Sequence, residues 1–271
     1  MKIKFYCPLW GSEALDFEVF CERVKKAGYD GVELSFPMEA EKKSKMLAAI
    51  KSFELEHIAQ HWETSDLDFN QHKKNYEKRL INLVETKPKF INTQTGKDFF
   101  SFEQNQALIN IAETIKATAG INIIHETHRG KFSFACHITH DFLTRIPGLR
   151  LNFDISHWCC VAESMLENQS EAVHLAISRA DHIHARVGFS QAAQINDPRA
   201  KEWSETVAVF IDWWQQIISR AKAEGKPEFG ITPEFGPFPY MVEQPFTRQA
   251  ISNQWEINVY MKTLLKEQLV F

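Results

Sequence analysis

Short apolar runs alternate along this chain with longer stretches whose apolar residues recur every three or four positions. IKFYC (residues 3–7) opens the series. Residues 13–27 follow with helical spacing, Leu15, Val19, Phe20 and Val24 sharing one side, and Gly28 stops the helix. YDGVELSF (29–36), EHIAQHW (56–62), KFINTQTG (89–96), INIIHET (121–127), LRLNFDI (149–155), HIHARV (182–187) and FGITPEF (229–235) complete a set of eight predicted strands. Helical patterns precede several of them, over 39–53, 103–119 and 202–224, and a final one covers 249–266. Strands alternating with amphipathic helices are the mark of βα units around a parallel sheet.

Eight units in 271 residues give about 34 residues each, close to what a closed barrel uses. An open doubly wound sheet would carry a G-x-G-x-x-G turn after its first strand, and CPLWGSE does not match it. The expected fold is therefore α/β, a single (β/α)8 TIM barrel formed by residues 1–271 as one domain. No linker rich in Gly, Ser or Pro divides the chain. The one long irregular stretch, 188–199, would lie over the mouth, where long loops often act as lids.

A barrel presents its chemistry at the C-terminal ends of its strands. Strand five ends HETHRG, with Glu126 and His128 on one face and His125 on the other. Strand six ends NFDISHW, with Asp154 near the end and His157 just beyond. Strand seven, HIHAR, puts His182, His184 and Arg186 on one face, and strand eight ends TPEFGP with Glu234. A lone carboxylate at a strand end is more often a helix cap or an ion-pair partner. Three carboxylates and an imidazole on four consecutive strands, spaced about 4.8 Å apart, can instead converge on one centre. Three oxygen donors and one nitrogen suit a divalent Mn, Mg, Co or Zn ion, and burying these carboxylates without a cation would cost several kcal/mol each.

Composition narrows the partners. The formal net charge of −4 does not attract a polyanion, so no nucleic acid is expected. No apolar run approaches the roughly 20 residues needed to cross a bilayer. The five cysteines, two adjacent and none in a C-x-x-C pair, read as reduced thiols, and the N-terminus turns acidic too early for a secretory signal, so a cytoplasmic protein is expected. The partners expected are a small sugar-like molecule and, at most, further copies of the chain.

In these strand ends the chain resembles the xylose isomerase-like superfamily of barrels, the sugar and sugar-phosphate isomerase/epimerase group. The Glu, Asp, His, Glu order, the Asp-x-x-His segment at Asp154 to His157 and the His-x-His segment at His182 to His184 carry the resemblance. It implies carbohydrate metabolism: keto-sugar epimerisation or aldose–ketose isomerisation, with a metal on Glu126, Asp154, His184 and Glu234. Glu126 and Glu234 would remove and return a proton on opposite faces of a carbon, through an enediolate. His157 would hydrogen-bond a substrate oxygen, and Arg186 would meet an oxyanion, an acid or a phosphate. A lyase that expels a β-hydroxyl from the same enediolate is the main alternative. A DNA repair endonuclease of related fold and a non-catalytic sugar-binding barrel are the others.

Other polar residues carry weaker signals. Glu33 on strand two either orients a ligand or sits in a buried ion pair. His61 could touch substrate or be a satisfied core histidine. Asn92, Gln94 and Lys97 surround the end of strand four. Trp10 could stack on a sugar face, although with seven tryptophans core packing competes. Cys159 and Cys160 read as inert thiols, and His137 and His140 as outer-helix residues.

Overall fold

The computed structural model describes all 271 residues. Eight parallel strands close into one barrel in chain order: β1 (Lys2–Pro8), β2 (Gly31–Leu34), β3 (Glu56–His61), β4 (Ile91–Thr93), β5 (Ile123–Glu126), β6 (Leu151–Phe153), β7 (Ala180–His184) and β8 (Glu228–Thr232). β1 closes the ring on β8 by pairing Lys2 with Glu228 through Phe5 with Ile231. The helices between and after the strands are α1 (Phe17–Lys26), α2 (Ala40–Ser52), α3 (Phe69–Val84), α4 (Phe102–Ala119), α5 (Cys136–Arg145), α6 (Ser156–Val161), α7 (Ser170–Arg179), α8 (Ser204–Ala223) and α9 (Gln254–Gln268). No helix is long and apolar enough to cross a membrane.

Local chemistry sets these boundaries. α1 starts where the Asp16 carboxylate accepts from the Glu18 and Val19 amides, four residues later than the apolar spacing alone places it. α4 opens with a capping box between Ser101 and Gln104 and ends at Gly120 in the left-handed region. The observed strands are mostly shorter than the apolar runs, because the flanking apolar residues continue onto loops that cover the barrel ends.

The apolar core fills the ring between barrel and helices. Phe20 and Val24 of α1, Tyr76 and Leu80 of α3, Leu108 of α4, Phe210 and Trp214 of α8, and Met261 and Leu265 of α9 are all fully buried there. Each such side chain contributes about 1.5–3 kcal/mol on leaving water. Alternation then turns the intervening strand residues inward. Glu33, Asn92, Asn152, His182, His184 and Thr232 are buried at the barrel axis. The inner space is thus polar, and it opens toward the C-terminal mouth.

Candidate active site

Glu126 is the last residue of β5 and His184 the last of β7, while Asp154 follows β6 by one residue and Glu234 follows β8 by two. The fold brings all four together. One ligand atom from each lies within 4.8 Å of the others, and all four residues are buried. His184 Nδ1 stands 2.9 Å from Glu234 Oε2 and 3.7 Å from Glu126 Oε2, yet makes no hydrogen bond. A buried nitrogen without a hydrogen bond, aimed among three carboxylates, is the donor set of a borderline or hard divalent cation.

The opposite ring nitrogen of His184 is engaged. Glu33, 1% exposed, lies 2.9 Å from His184 Nε2 and 3.3 Å from His182 Nε2, and it accepts from Thr232 Oγ1 at 2.6 Å and from Asn92 Nδ2 at 2.9 Å. A carboxylate on one nitrogen of a histidine holds the ring and leaves the other nitrogen to face a metal. Glu33 thus occupies a buried ion pair and orients His184 through that same contact. Asn92 Nδ2 also donates to Glu126 Oε2 at 2.9 Å, and Gln94 Nε2 donates to Glu126 Oε1 at 3.0 Å. Gln60 Nε2 donates to Glu234 Oε1 at 3.3 Å.

Charge in the cluster is unbalanced. Four buried carboxylates, Glu33, Glu126, Asp154 and Glu234, face one permanent cation, Arg186. The Arg186 guanidinium bonds Asp154 Oδ2, lies 2.7 Å from His157 Nε2 and 3.8 Å from Glu234 Oε2. Burial, reinforced by Glu234 and Asp154, outweighs His184 and pushes the Glu126 carboxyl up to about 7. Burial also raises Asp154, even with Arg186 beside it. Burial disfavours charge on His184, but Glu234, Glu33 and Glu126 overcome it and hold its pKa well above the usual histidine value. A divalent cation would relieve this excess of negative charge, so the residues present fit such an ion.

Above the cluster lies a cavity of about 460 Å³, lined by Trp10, Gln60, Trp62, Gln94, Arg186 and Tyr240 among others, with Glu33, Glu126 and Glu234 also reaching it. Trp10 packs edge-on to Tyr240 at 5.0 Å, and the Arg186 guanidinium lies 4.6 Å from the Tyr240 ring. A Cβ on Gly236 would come within 2.0 Å of the Trp10 ring, so the absence of a side chain there lets the indole lie against the backbone. His157 is buried beneath this lining, its ring tilted against that of His128 at 3.9 Å between ring centres. His61 stands apart from the cavity: its nitrogens meet Thr93 and Thr64 hydroxyls at 3.0 and 2.7 Å. The spacing in the sequence did not point to Gln60, Trp62 or Tyr240. Gln60 alternates with His61 on β3, a signal that period-two reading contains, whereas Tyr240 reaches the mouth only through the loop after β8.

Solved structures of the same architecture are numerous. A 3-keto-D-glucoside 4-epimerase from E. coli matches with a TM-score of 0.63 at 13% identity, over 98% of this chain and 100% of its own. A probable 3-DHS dehydratase from Bacillus anthracis matches at 0.59 and 19% identity, over 97% and 98% of the two chains. The fold is that of the xylose isomerase-like barrels. Within that barrel type the chemistry varies, since endonuclease IV from Thermus thermophilus also matches, at 0.59 and 11% identity over 99% and 98%. No protein-family model matches this chain, and no curated protein does.

Proposed function

We propose that this chain is a divalent-metal-dependent isomerase or epimerase of a small sugar or related polyol or keto-acid, working by proton transfer next to a carbonyl. The observation that carries the reading is the meeting of Glu126 and Glu234 at one buried centre on the cavity floor, each held by its own amide donor. Glu126, Asp154, His184 and Glu234 would hold the cation, which when bound supplies positive charge to substrate oxygens.

The chain's own residues account for the rest. One of the two glutamates takes the proton from the carbon, the electron pair moves into an enediolate, and the other glutamate returns a proton to a carbon of it. Gln94 and Gln60 keep the two carboxylates in place. Arg186 places fixed positive charge beside the oxygens where negative charge develops. Trp10, Trp62 and Tyr240 offer ring faces, and the amides offer donors and acceptors, a lining suited to a polyhydroxylated molecule.

The test is solvent deuterium wash-in. Protein purified without chelator is analysed for bound metal, then incubated in heavy water with a panel of keto-sugars, keto-polyols and keto-acids. Deuterium at the carbon beside the carbonyl, lost together with the metal in Asp154→Ala, is the expected result. Turnover without deuterium entry excludes the proton-transfer route, and a product lighter by one water reassigns the chain as a lyase.

A further inference from the structure

No lysine lines the cavity over Glu126 and Glu234, and Arg186 is its single arginine. That guanidinium already bonds Asp154. Four carboxylates line the same space, Glu33, Glu126 and Glu234 on the floor and exposed Glu13 at the rim. The rim acid is held in place, because its Oε2 accepts from the Gly11 N–H at 2.8 Å. Even with a divalent ion held by Glu126, Asp154, His184 and Glu234, the five acids carry more charge than that ion and Arg186 together. Helix starts at the mouth are already capped. Asp154 Oδ1 takes the Ser156 N–H at 3.2 Å at the start of α6, and Asn253 Oδ1 takes the Glu256 N–H at 3.1 Å at the start of α9. A substrate phosphate or carboxylate would enter against negative charge, with no free cation to meet it.

The aromatic lining is of two kinds. Trp10 and Tyr240, from the loops after β1 and β8, pack on each other and on Arg186. Trp62 follows β3 on another side of the mouth and is 56% exposed. Its backbone is nonetheless pinned. The Glu63 carboxylate accepts from the Trp62 N–H at 3.1 Å, and it also takes the Ser35 hydroxyl and the Arg79 guanidinium. An indole left open to water on a fixed backbone is a stacking face for an apolar sugar surface, with little ordering cost on binding. The cavity of about 460 Å³ extends from the buried glutamates out to that indole.

We infer that the substrate is an uncharged glycoside. Its reacting sugar lies over Glu126 and Glu234, its second neutral ring stacks on Trp62, and Glu13 with the floor acids turns phosphorylated and acidic sugars away. This narrows the function proposed above and rests on it for the chemistry, whereas the binding preference can be measured by itself.

Protein purified without chelator is titrated calorimetrically with maltose and cellobiose, with glucose, and with glucose 6-phosphate and gluconate. At least one disaccharide should bind more tightly than glucose, and neither anion should. Trp62→Ala should weaken the disaccharide about tenfold and glucose by less, and Trp62→Phe, which keeps a ring face, should restore most of the loss. Glu13→Gln should tighten glucose 6-phosphate by about two- to threefold at low salt, a gain that fades as salt is added. Tighter binding of either anion than of glucose overturns the inference. So does equal disaccharide affinity in wild type and Trp62→Ala, or no disaccharide binding at all. Deuterium wash-in separates this inference from the reaction. Trp62-dependent disaccharide binding without wash-in from any keto-sugar leaves the substrate class standing and sinks the isomerase reading. Wash-in confined to keto-acids or sugar phosphates does the reverse.

Discussion

At the N-terminal end of the barrel, Lys4 pairs with Glu56 and, at 3.1 Å, with Glu228, which also meets Lys89 at 2.5 Å. Arg150 grips Asp181 through two 2.7 Å bonds, and Lys226 closes on the same carboxylate. At the C-terminal mouth, Asp154 bonds Arg186 and Glu234 lies 3.8 Å from it, while Glu33, Glu126 and Glu234 face His184. The same residue types therefore respond in opposite directions. Lys89 beside Glu228 holds that carboxyl below the usual range, whereas burial pushes Glu126 up to about 7. One end pairs its charges internally and remains partly wet, and the other buries four carboxylates beside a single arginine. Barrels place stability at the first end and chemistry at the second, and here charge balance alone distinguishes them.

The largest expected difference between the ends is in rate. Glu126→Gln and Glu234→Gln should each slow deuterium wash-in by about 10²–10⁴-fold, while Lys89→Ala leaves it unchanged. Equal rates in wild type and both glutamine variants would break the comparison. Next comes stability. Arg186→Met removes the only permanent cation from a buried cluster and should cost about 3–5 kcal/mol in urea denaturation. The smallest effect is Arg150→Ala, where Asp181 keeps Lys226. A loss of about 1 kcal/mol or less is expected, shrinking as salt is added, with deuterium wash-in intact. A loss as large as that for Arg186→Met would show that the N-terminal network is not the solvent-screened set described here.

The barrel was legible because β/α alternation is written in apolar spacing, and eight repeats leave few other ways to bury them. Glu126, Asp154, His184 and Glu234 could be found because a strand end is itself a sequence position. Glu33 left two readings open, since period-two alternation turns it inward but does not say which histidine it meets 151 residues away. α3 buries Tyr76, Leu80 and Leu83, and α7 buries Val173, Ala176 and Ile177, each on one face at helical spacing, so both were as open to that reading as α4. Tyr240 was beyond reach because its position depends on how the Pro-rich loop after β8 folds back toward Trp10.

The Glu234 carboxylate is located from the far end of the chain. Asn258 on α9 binds both backbone groups of neighbouring Phe235, accepting from its N–H at 2.8 Å and donating to its carbonyl at 3.0 Å. Gln254 adds a second donor to that carbonyl and ties it to Trp10. The last helix therefore works as a locating pin for a glutamate some twenty residues upstream. Damage to it, by trimming or by a bulky fusion, would misalign the reacting groups in a barrel whose eight strands are still closed.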